Sequence, residues 1–513
     1  MSGCRLAGVV LTIAVAAGVF WGCRKERGTW TYEPSPPPPR APVVTPPPPA
    51  PIPPPPGPVA PPAPIPPPPG PVAPVPPRPL PAVTAAGVQV LLRGPMHEAF
   101  AQPIRYTPMA SVIAPRVPPP PIDEMPPEWR PSGLPTVWIP GYWAWDEDRT
   151  DFIWVSGIWR LPPPGTTWVP GYWSPWRRGY YWTPGFWMSG FAGEIDYLPF
   201  PPASLEKGPA GQRISEDYIW IPGFWYRPGP RYVWTAGFWD AARPNWVWVP
   251  SHYVWTPRGV IFVSGYWDYP LGRRGLLFAP LAVDRALRTP GRFSSVPTVV
   301  IEPQALTANL FARPKYYHYY FGDYYETKYV RLGIYPWYEC RERREWYDPL
   351  YLHQEWRHQR DDIQWEAHER GEYARRRDQS ELRPALTLAD QQARVARLPE
   401  AERGRAILGR LLSEVMSGLG AEVRLEKVDD ARRTQLGQQG KELRHYEEQR
   451  AQWESAGKAA TAAPPAETAP PQGPARDVTP EKVRVPRSPI LSGASEQPPP
   501  PPKPAPAVPP KPK

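Results

Sequence analysis

The sequence predicts a mostly β repeat core: an antiparallel meander of about eight short Trp-rich strands in two four-stranded halves. A charged helical region follows, and long Pro-rich disordered segments flank both. Three observations predict this. Eighteen of the 26 tryptophans fall between Trp138 and Trp267, so the apolar residues are concentrated in one block. Short aromatic segments recur there at fixed spacing, and internal repeats take precedence over local reading. The 86 prolines among 513 residues sit largely in tracts that form neither helix nor sheet interior.

Residues 1–23 read as an export segment. Arg5 supplies a positive start, and Leu6 to Gly22 is apolar or small apart from Thr12. That run is short for a spanning helix and long enough for a signal sequence. It ends in Phe20-Trp21-Gly22-Cys23, which resembles a bacterial lipobox at Gly22 and Cys23 but not at Trp21. Arg24, Lys25 and Arg27 follow at once, and positive charge there resists translocation. Lipidation of Cys23, an uncleaved anchor and ordinary cleavage all stay open; attachment to a membrane through the N-terminus is the expectation.

Residues 24–83 form a tether. Ala50 to Pro62 recurs, except for its last residue, as Ala63 to Val75. Proline fixes φ and removes the amide donor, which leaves polyproline II as the default conformer. At about 3.1 Å per residue the Pro-rich stretch could span on the order of 150 Å. A spacer between membrane and folded part fits this better than a ligand for a Pro-binding domain. Residues 84–137 are an extended lead-in, with Val88 to Leu92 as a strand.

The repeat block covers residues 138–267. Trp-x-x-Gly-x-Trp occurs as Trp138-Ile-Pro-Gly141-Tyr-Trp143, Trp154-Val-Ser-Gly157-Ile-Trp159, Trp168-Val-Pro-Gly171-Tyr-Trp173 and Trp182-Thr-Pro-Gly185-Phe-Trp187. After an insertion at 188–213 it resumes as Trp220-Ile-Pro-Gly223-Phe-Trp225 and Trp234-Thr-Ala-Gly237-Phe-Trp239. Two degenerate copies follow, Trp248 to Tyr253 and Phe262-Val-Ser-Gly265-Tyr-Trp267. The starts step by 16, 14 and 14, then 38, then 14 three times. About nine residues of strand and five of turn give this period. Turn-like stretches lie at Asp146 to Thr150, Arg227 to Arg231, Ala241 to Asn245 and Thr256 to Gly259.

Each motif reads as one strand, with Tyr232, Trp234, Ala236 and Phe238 on one face and Val233, Thr235, Gly237 and Trp239 on the other. The bare glycine leaves room for an indole from a neighbouring strand. The preceding proline cannot donate to a ladder, so a bend or bulge at Pro-Gly is expected. A type II turn at Pro-Gly is the alternative. The bent strand is preferred, because Ser156, Ala236 and Ser264 replace the proline without disturbing the spacing.

The block resembles the YXWGXW (WXXGXW) repeat proteins of bacteria, a family defined by this motif and without an established activity. The resemblance covers roughly Trp138 to Trp267. It implies an exported or envelope setting and supplies no catalytic residues. Ser251-His252-Tyr253 and Phe262 depart from the pattern and read as capping or edge strands.

Residues 268–340 continue with strands at Leu276 to Val283 and Pro297 to Ile301, and Tyr316 to Tyr325 forms an aromatic loop or edge. Residues 341–456 turn helical: mixed charges accompany Trp346, Trp356 and Trp365, and Ile407, Leu408, Leu411, Leu412 and Val415 recur at helical spacing. That amphipathic face suits packing within the chain or self-association. The tail 457–513 is expected to be disordered.

The chemistry of most enzymes is missing. The chain has no phosphate-binding glycine loop, no nucleophile elbow, no His-Glu-x-x-His and no paired cysteines. His353 and His358 are five apart, a poor match to one helical face, and read as solvated. Asp146, Asp148 and Asp151 lack the glycine and terminal glutamate of a calcium loop and read as a polar turn. Cys340 reads as an ordinary thiol. No catalytic residue, cofactor or metal is expected. Net charge is +10, but acids are interspersed with the basic residues, so nucleic acid is not an expected partner. The expectation is an exported cell-envelope structural or interaction protein, whose partner is another envelope protein or a polysaccharide. A polysaccharide- or peptidoglycan-binding module with exposed Trp and Tyr is the alternative.

Overall fold

The tryptophans of the repeat block meet one another across strands. The structure, a computed structural model, describes residues 87–502 apart from 177–178, 190–192, 214, 359–361, 363, 418–422, 456–480 and 491–497. The export segment with Cys23, the Pro-rich tether and most of the tail lie outside the described residues.

Many short antiparallel strands make up the core, followed by a helical C-terminal region, as the sequence predicts. The strand count per motif differs. Each motif is two strands rather than one, broken at its glycine, and motifs associate in pairs. In the first pair Val137–Ile139 lies beside Ile158–Arg160, and Tyr142–Asp146 beside Asp151–Val155. Trp138 therefore faces Trp159, and Trp143 faces Trp154. The second pair sets Trp168 against Trp187 and Trp173 against Trp182. The third sets Trp220 against Trp239 and Trp225 against Trp234. The fourth sets Trp248 against Trp267 and Tyr253 against Phe262.

Four such pairs replace the two four-stranded halves expected from the 38-residue jump. The reason is local. A proline without an N–H and a glycine turned out of the ladder interrupt pairing, so neither strand half can extend into a broad sheet. The bent strand is nonetheless the right choice between the two alternatives. Both halves of a motif pair with the same partner motif, and no repeat glycine adopts the left-handed φ that a type II turn requires.

Wider sheets form where other segments join. Val88–Val90 and Leu281–Val283 extend the inner hairpin of the first pair to four strands. The insertion contributes Glu194–Leu198, which joins the inner hairpin of the fourth pair. Its other edge takes Glu481–Arg484, so part of the tail expected to be disordered is a strand. The tyrosine-rich segment is no loop or edge: His318–Phe321 is buried between Gly94–Pro95 and Leu310–Arg313. Asp146 to Asp151 closes the first hairpin as a polar turn, with Asp148 paired to Arg93 and Asp151 to Arg288.

The amphipathic stretch around Ile407 to Val415 is not one helix. Gly409–Leu411 pairs as a strand with Val299–Ile301, and only Leu412–Met416 is helical. Gly409 explains this: a Cβ there would come within 2.5 Å of the Leu92 side chain, an approach that an extended strand makes. The long helix is Asp430–Ser455. Its buried residues Leu436, Gly437, Gly440, Leu443, Tyr446, Arg450 and Glu454 recur every three or four positions. That face lies against Val137–Ile139 and Tyr172–Trp176, roofing the first two pairs. Among the described residues no helix is long and apolar enough to cross a membrane.

Candidate functional site

The peptide between positions three and four of each motif has left the ladder, so its N–H and C=O need other partners. In the first two pairs a buried glutamate from outside the repeats supplies the acceptor. Glu98 lies between Gly171 and Gly185. The Gly171 N–H donates to Oε1 at 3.0 Å, and the Gly185 N–H reaches both oxygens at 3.1 Å. Trp182 Nε1–H donates to Oε2 at 3.0 Å. Glu124 repeats the arrangement in the first pair. Gly141 N–H donates to Oε2 at 2.8 Å, Gly157 N–H to both oxygens at 3.0 and 3.1 Å, and Trp154 Nε1–H to Oε1 at 2.9 Å. Two backbone amides and an indole thus form a nest for one carboxylate.

The carbonyl side of the same peptides is answered by cations and imidazole. Arg450, from the long helix, donates to the carbonyls of Pro170 and Pro184 at 2.6 and 3.0 Å. The ring of His97 pairs through Nε2 with the Pro140 carbonyl at 3.1 Å. In the second pair each Pro-Gly peptide bridges Glu98 on one side and Arg450 on the other.

The glycine is required twice over. A Cβ at Gly185 would lie 2.5 Å from Glu98 Oε1 and 2.6 Å from the Trp168 ring; at Gly171 it would lie 2.6 Å from Glu98 and 2.4 Å from the Trp182 ring. Both distances are inside van der Waals contact, so any side chain would expel the carboxylate or the indole. An indole over each glycine is what the sequence predicts, and the structure supplies its identity: the first tryptophan of the partner motif. The cross-strand tryptophans meet edge to face or tilted. Their centroids are 5.4 Å apart for Trp138 and Trp159, and 5.0 Å for Trp248 and Trp267. Such contacts add about 0.5–1.5 kcal/mol beyond area burial.

Burial sets the charge state of these carboxyls. It pushes Glu98 up from 4.5 to about 7, against the opposing pull of the Gly185, Trp182 and Gly171 donors and of Arg450. Burial also raises Glu124, again opposed by its nest. The third pair differs. Glu206, half-buried on a surface segment, accepts from Gly223 N–H and from Trp220 Nε1–H at 3.2 Å. In the fourth pair Ser251 stands where the first motif would have glycine, and its hydroxyl accepts from Gly265 N–H at 2.9 Å.

A family model described as WXXGXW repeat (2 copies) matches residues 137–160, 217–240 and 243–268. The chain therefore carries WXXGXW repeats within residues 137–268. The two-copy unit coincides with the cross-strand pair seen in the fold, and the WXXGXW unit is therefore the pair and not the single motif. The Trp168 to Trp187 pair lies outside the three matched segments but has the same build. No match was found among curated proteins or among solved structures.

The structure thus gathers the repeat residues of the WXXGXW block into four aromatic cross-strand pairs. The first, second and fourth hold Trp138, Trp143, Trp154, Trp159, Trp168, Trp182, Trp187, Trp248 and Trp267 in the core, whereas Trp225, Trp234 and Trp239 of the third stay half-exposed. Sequence reasoning missed Glu98, Glu124, Glu206 and Arg450. The signal available was slight: a lone glutamate in an apolar stretch, as in Met96-His97-Glu98-Ala99-Phe100. Cys340 is buried, and burial pushes its thiol well above the usual range, which agrees with an ordinary thiol.

Proposed function

We propose that this chain is an exported structural and interaction protein of the cell envelope, without catalytic activity, whose paired repeats form a rigid scaffold. One observation carries the reading. The motif's own groups are consumed internally: its indoles in cross-strand contacts and, in the first two pairs, its glycine amides on buried glutamates. A motif used up in this way supports building a fold better than it supports chemistry on a substrate. The partner is an envelope protein or a polysaccharide, and nucleic acid is not expected. Quenching of tryptophan fluorescence by acrylamide tests the scaffold: most indoles should be protected, with an accessible minority in the third pair. Uniform accessibility would overturn it. Location is tested by fractionation after labelled-lipid feeding, with Cys23→Ala as the comparison; both forms in the cytosol would end the envelope reading.

A second reading has its own support. The third pair exposes Tyr226 and Val233 to 47% and 54%, with Trp225 and Trp234 half-exposed beside them. Such a surface suits stacking on sugar faces. Retention on purified peptidoglycan or polysaccharide, lost on Trp225→Ala and Trp234→Ala, would favour this binding module; no retention would remove it.

A further inference from the structure

A cavity of about 230 Å³ lies beside the third pair, between the strand Tyr218–Ile221 and the segment from Cys340 to Trp356. Drug-sized sites are about 300–1,000 Å³, so this one has room for a single ring with small substituents. Trp220, Trp239, Trp346 and Tyr347 give it aromatic walls. Gly208 and Pro209 form part of its rim, on the segment that Glu206 pins into the third pair.

The polar groups lining the cavity favour an anion. Arg213, Arg341 and Arg344 face it, against the carboxylates Asp348 and Glu355. Arg341 is paired with Glu355, and Arg213 packs its guanidinium 5.6 Å from the centre of the Trp239 ring. Burial pushes Asp348 up to about 7, which lessens the negative charge it brings, and Glu355 is offset by Arg341. Two groups stand ready. Trp239 Nε1–H is buried without a hydrogen-bond partner among the described residues. Arg344 caps the short helix Cys340–Arg343 in the left-handed region, at φ 52°. A left-handed residue is a common helix terminus, and the Arg344 backbone N–H closes onto the Cys340 carbonyl, with the residue on the cavity wall. An orphaned buried donor calls for an acceptor.

We propose that this cavity binds a small ring compound carrying a carboxylate. Its ring packs against the indoles of Trp220 and Trp239, which meet edge to face, and its carboxylate meets Arg344 with the Trp239 N–H. The inference is independent of the scaffold reading, which needs no ligand. Charge-assisted bonds to a carboxylate are roughly twice as strong as neutral ones, so the acid should be distinguished from its neutral counterpart.

The test is calorimetric titration of the full chain with glucuronate, benzoate, glucose and acetate. Glucuronate or benzoate should bind at least about tenfold more tightly than glucose or acetate. Binding of glucuronate alone would assign a saccharide acid, and of benzoate alone an aromatic acid. Arg344→Ala should weaken the bound acid by about tenfold, and Trp239→Phe, which keeps a ring and removes the N–H, by several-fold. Circular dichroism and the urea midpoint establish that each variant is folded. If neither acid binds at about 10 mM, or if folded Arg344→Ala binds as the parent does, the proposal fails.

Discussion

The second and third repeat pairs carry the same motif and the same kind of carboxylate, yet they stand in opposite surroundings. Glu98 is enclosed by two glycine amides and an indole, under the long helix, at 2% exposure. Glu206 reaches its pair from a surface segment and also accepts from the Gly208 N–H at 2.7 Å, within its own loop. Water can replace Glu206 and cannot replace Glu98. The difference teaches that the nest is a property of the motif, while its contribution to stability is decided by what covers it. One local design thus serves as core in one place and as a surface attachment in another.

The sharpest break of this comparison is removal of each carboxylate. Glu98→Ala strands the Gly171 and Gly185 amides and the Trp182 indole, and leaves Arg450 with less opposing charge. It should cost on the order of 3–5 kcal/mol, as removal of one buried charged partner does. Glu206→Ala should cost about 1 kcal/mol or less, because solvent reaches its donors. Urea unfolding of both variants measures the two costs. Equal losses would show that cover does not decide the nest's contribution.

Acidity sharpens the same contrast. A carboxyl raised from 4.5 to about 7 in the folded chain holds a proton that the unfolded chain has released between those values. Its contribution to stability is therefore full below about pH 4.5 and is lost as pH rises through about 7. A shift of that size corresponds to about 3 kcal/mol. Glu124 and Asp348 are raised too, so they add slope of the same sign. His97, His252, His318 and His353 are held low by burial and add slope of the opposite sign. The measure is therefore the difference between two chains: from pH 5 to pH 8 the urea midpoint of the parent should fall relative to that of Glu98→Gln. A difference that stays constant over this range would contradict the burial of Glu98.

Much of this was legible in the residues. The period, the strand character and the role of glycine beneath an indole follow from Trp138 to Trp267 alone, because each depends on neighbours within one or two motifs. The pairing of motifs was harder. Alternation through Ala236 and Gly237 looks continuous on paper, but the ladder breaks there, and only the partner's register reveals it. The nests were not legible. Glu98 meets Gly171 and Gly185 across 73 and 87 residues, and nothing in the motif signals an incoming carboxylate. The stretch around Ile407 misled for a related reason. Its apolar spacing fits a helix, yet Gly409 tucks against Leu92 beside Val299–Ile301, a contact fixed by distant chain.

The smallest effect comes from adding one methyl group. Gly185→Ala and Gly223→Ala both place a Cβ about 2.5 Å from an existing atom: Glu98 Oε1 in the second pair, the Trp234 ring in the third. Overpacking a closed core costs about 1–3 kcal/mol, because neighbours must leave their rotamers. In the second pair neither Glu98 nor Trp168 can yield, since each is held by buried partners on other sides. In the third pair Trp234 is half-exposed and can swing toward water, but the Thr235 carbonyl oxygen and the Gly237 nitrogen, 2.7 and 2.9 Å from the same Cβ, are backbone and cannot. Gly185→Ala should therefore sit near the upper end of that range and Gly223→Ala lower within it, as read from urea midpoints. If Gly223→Ala were the more damaging, the third pair would be as tightly held as the second, and its cover by solvent would not be what sets it apart.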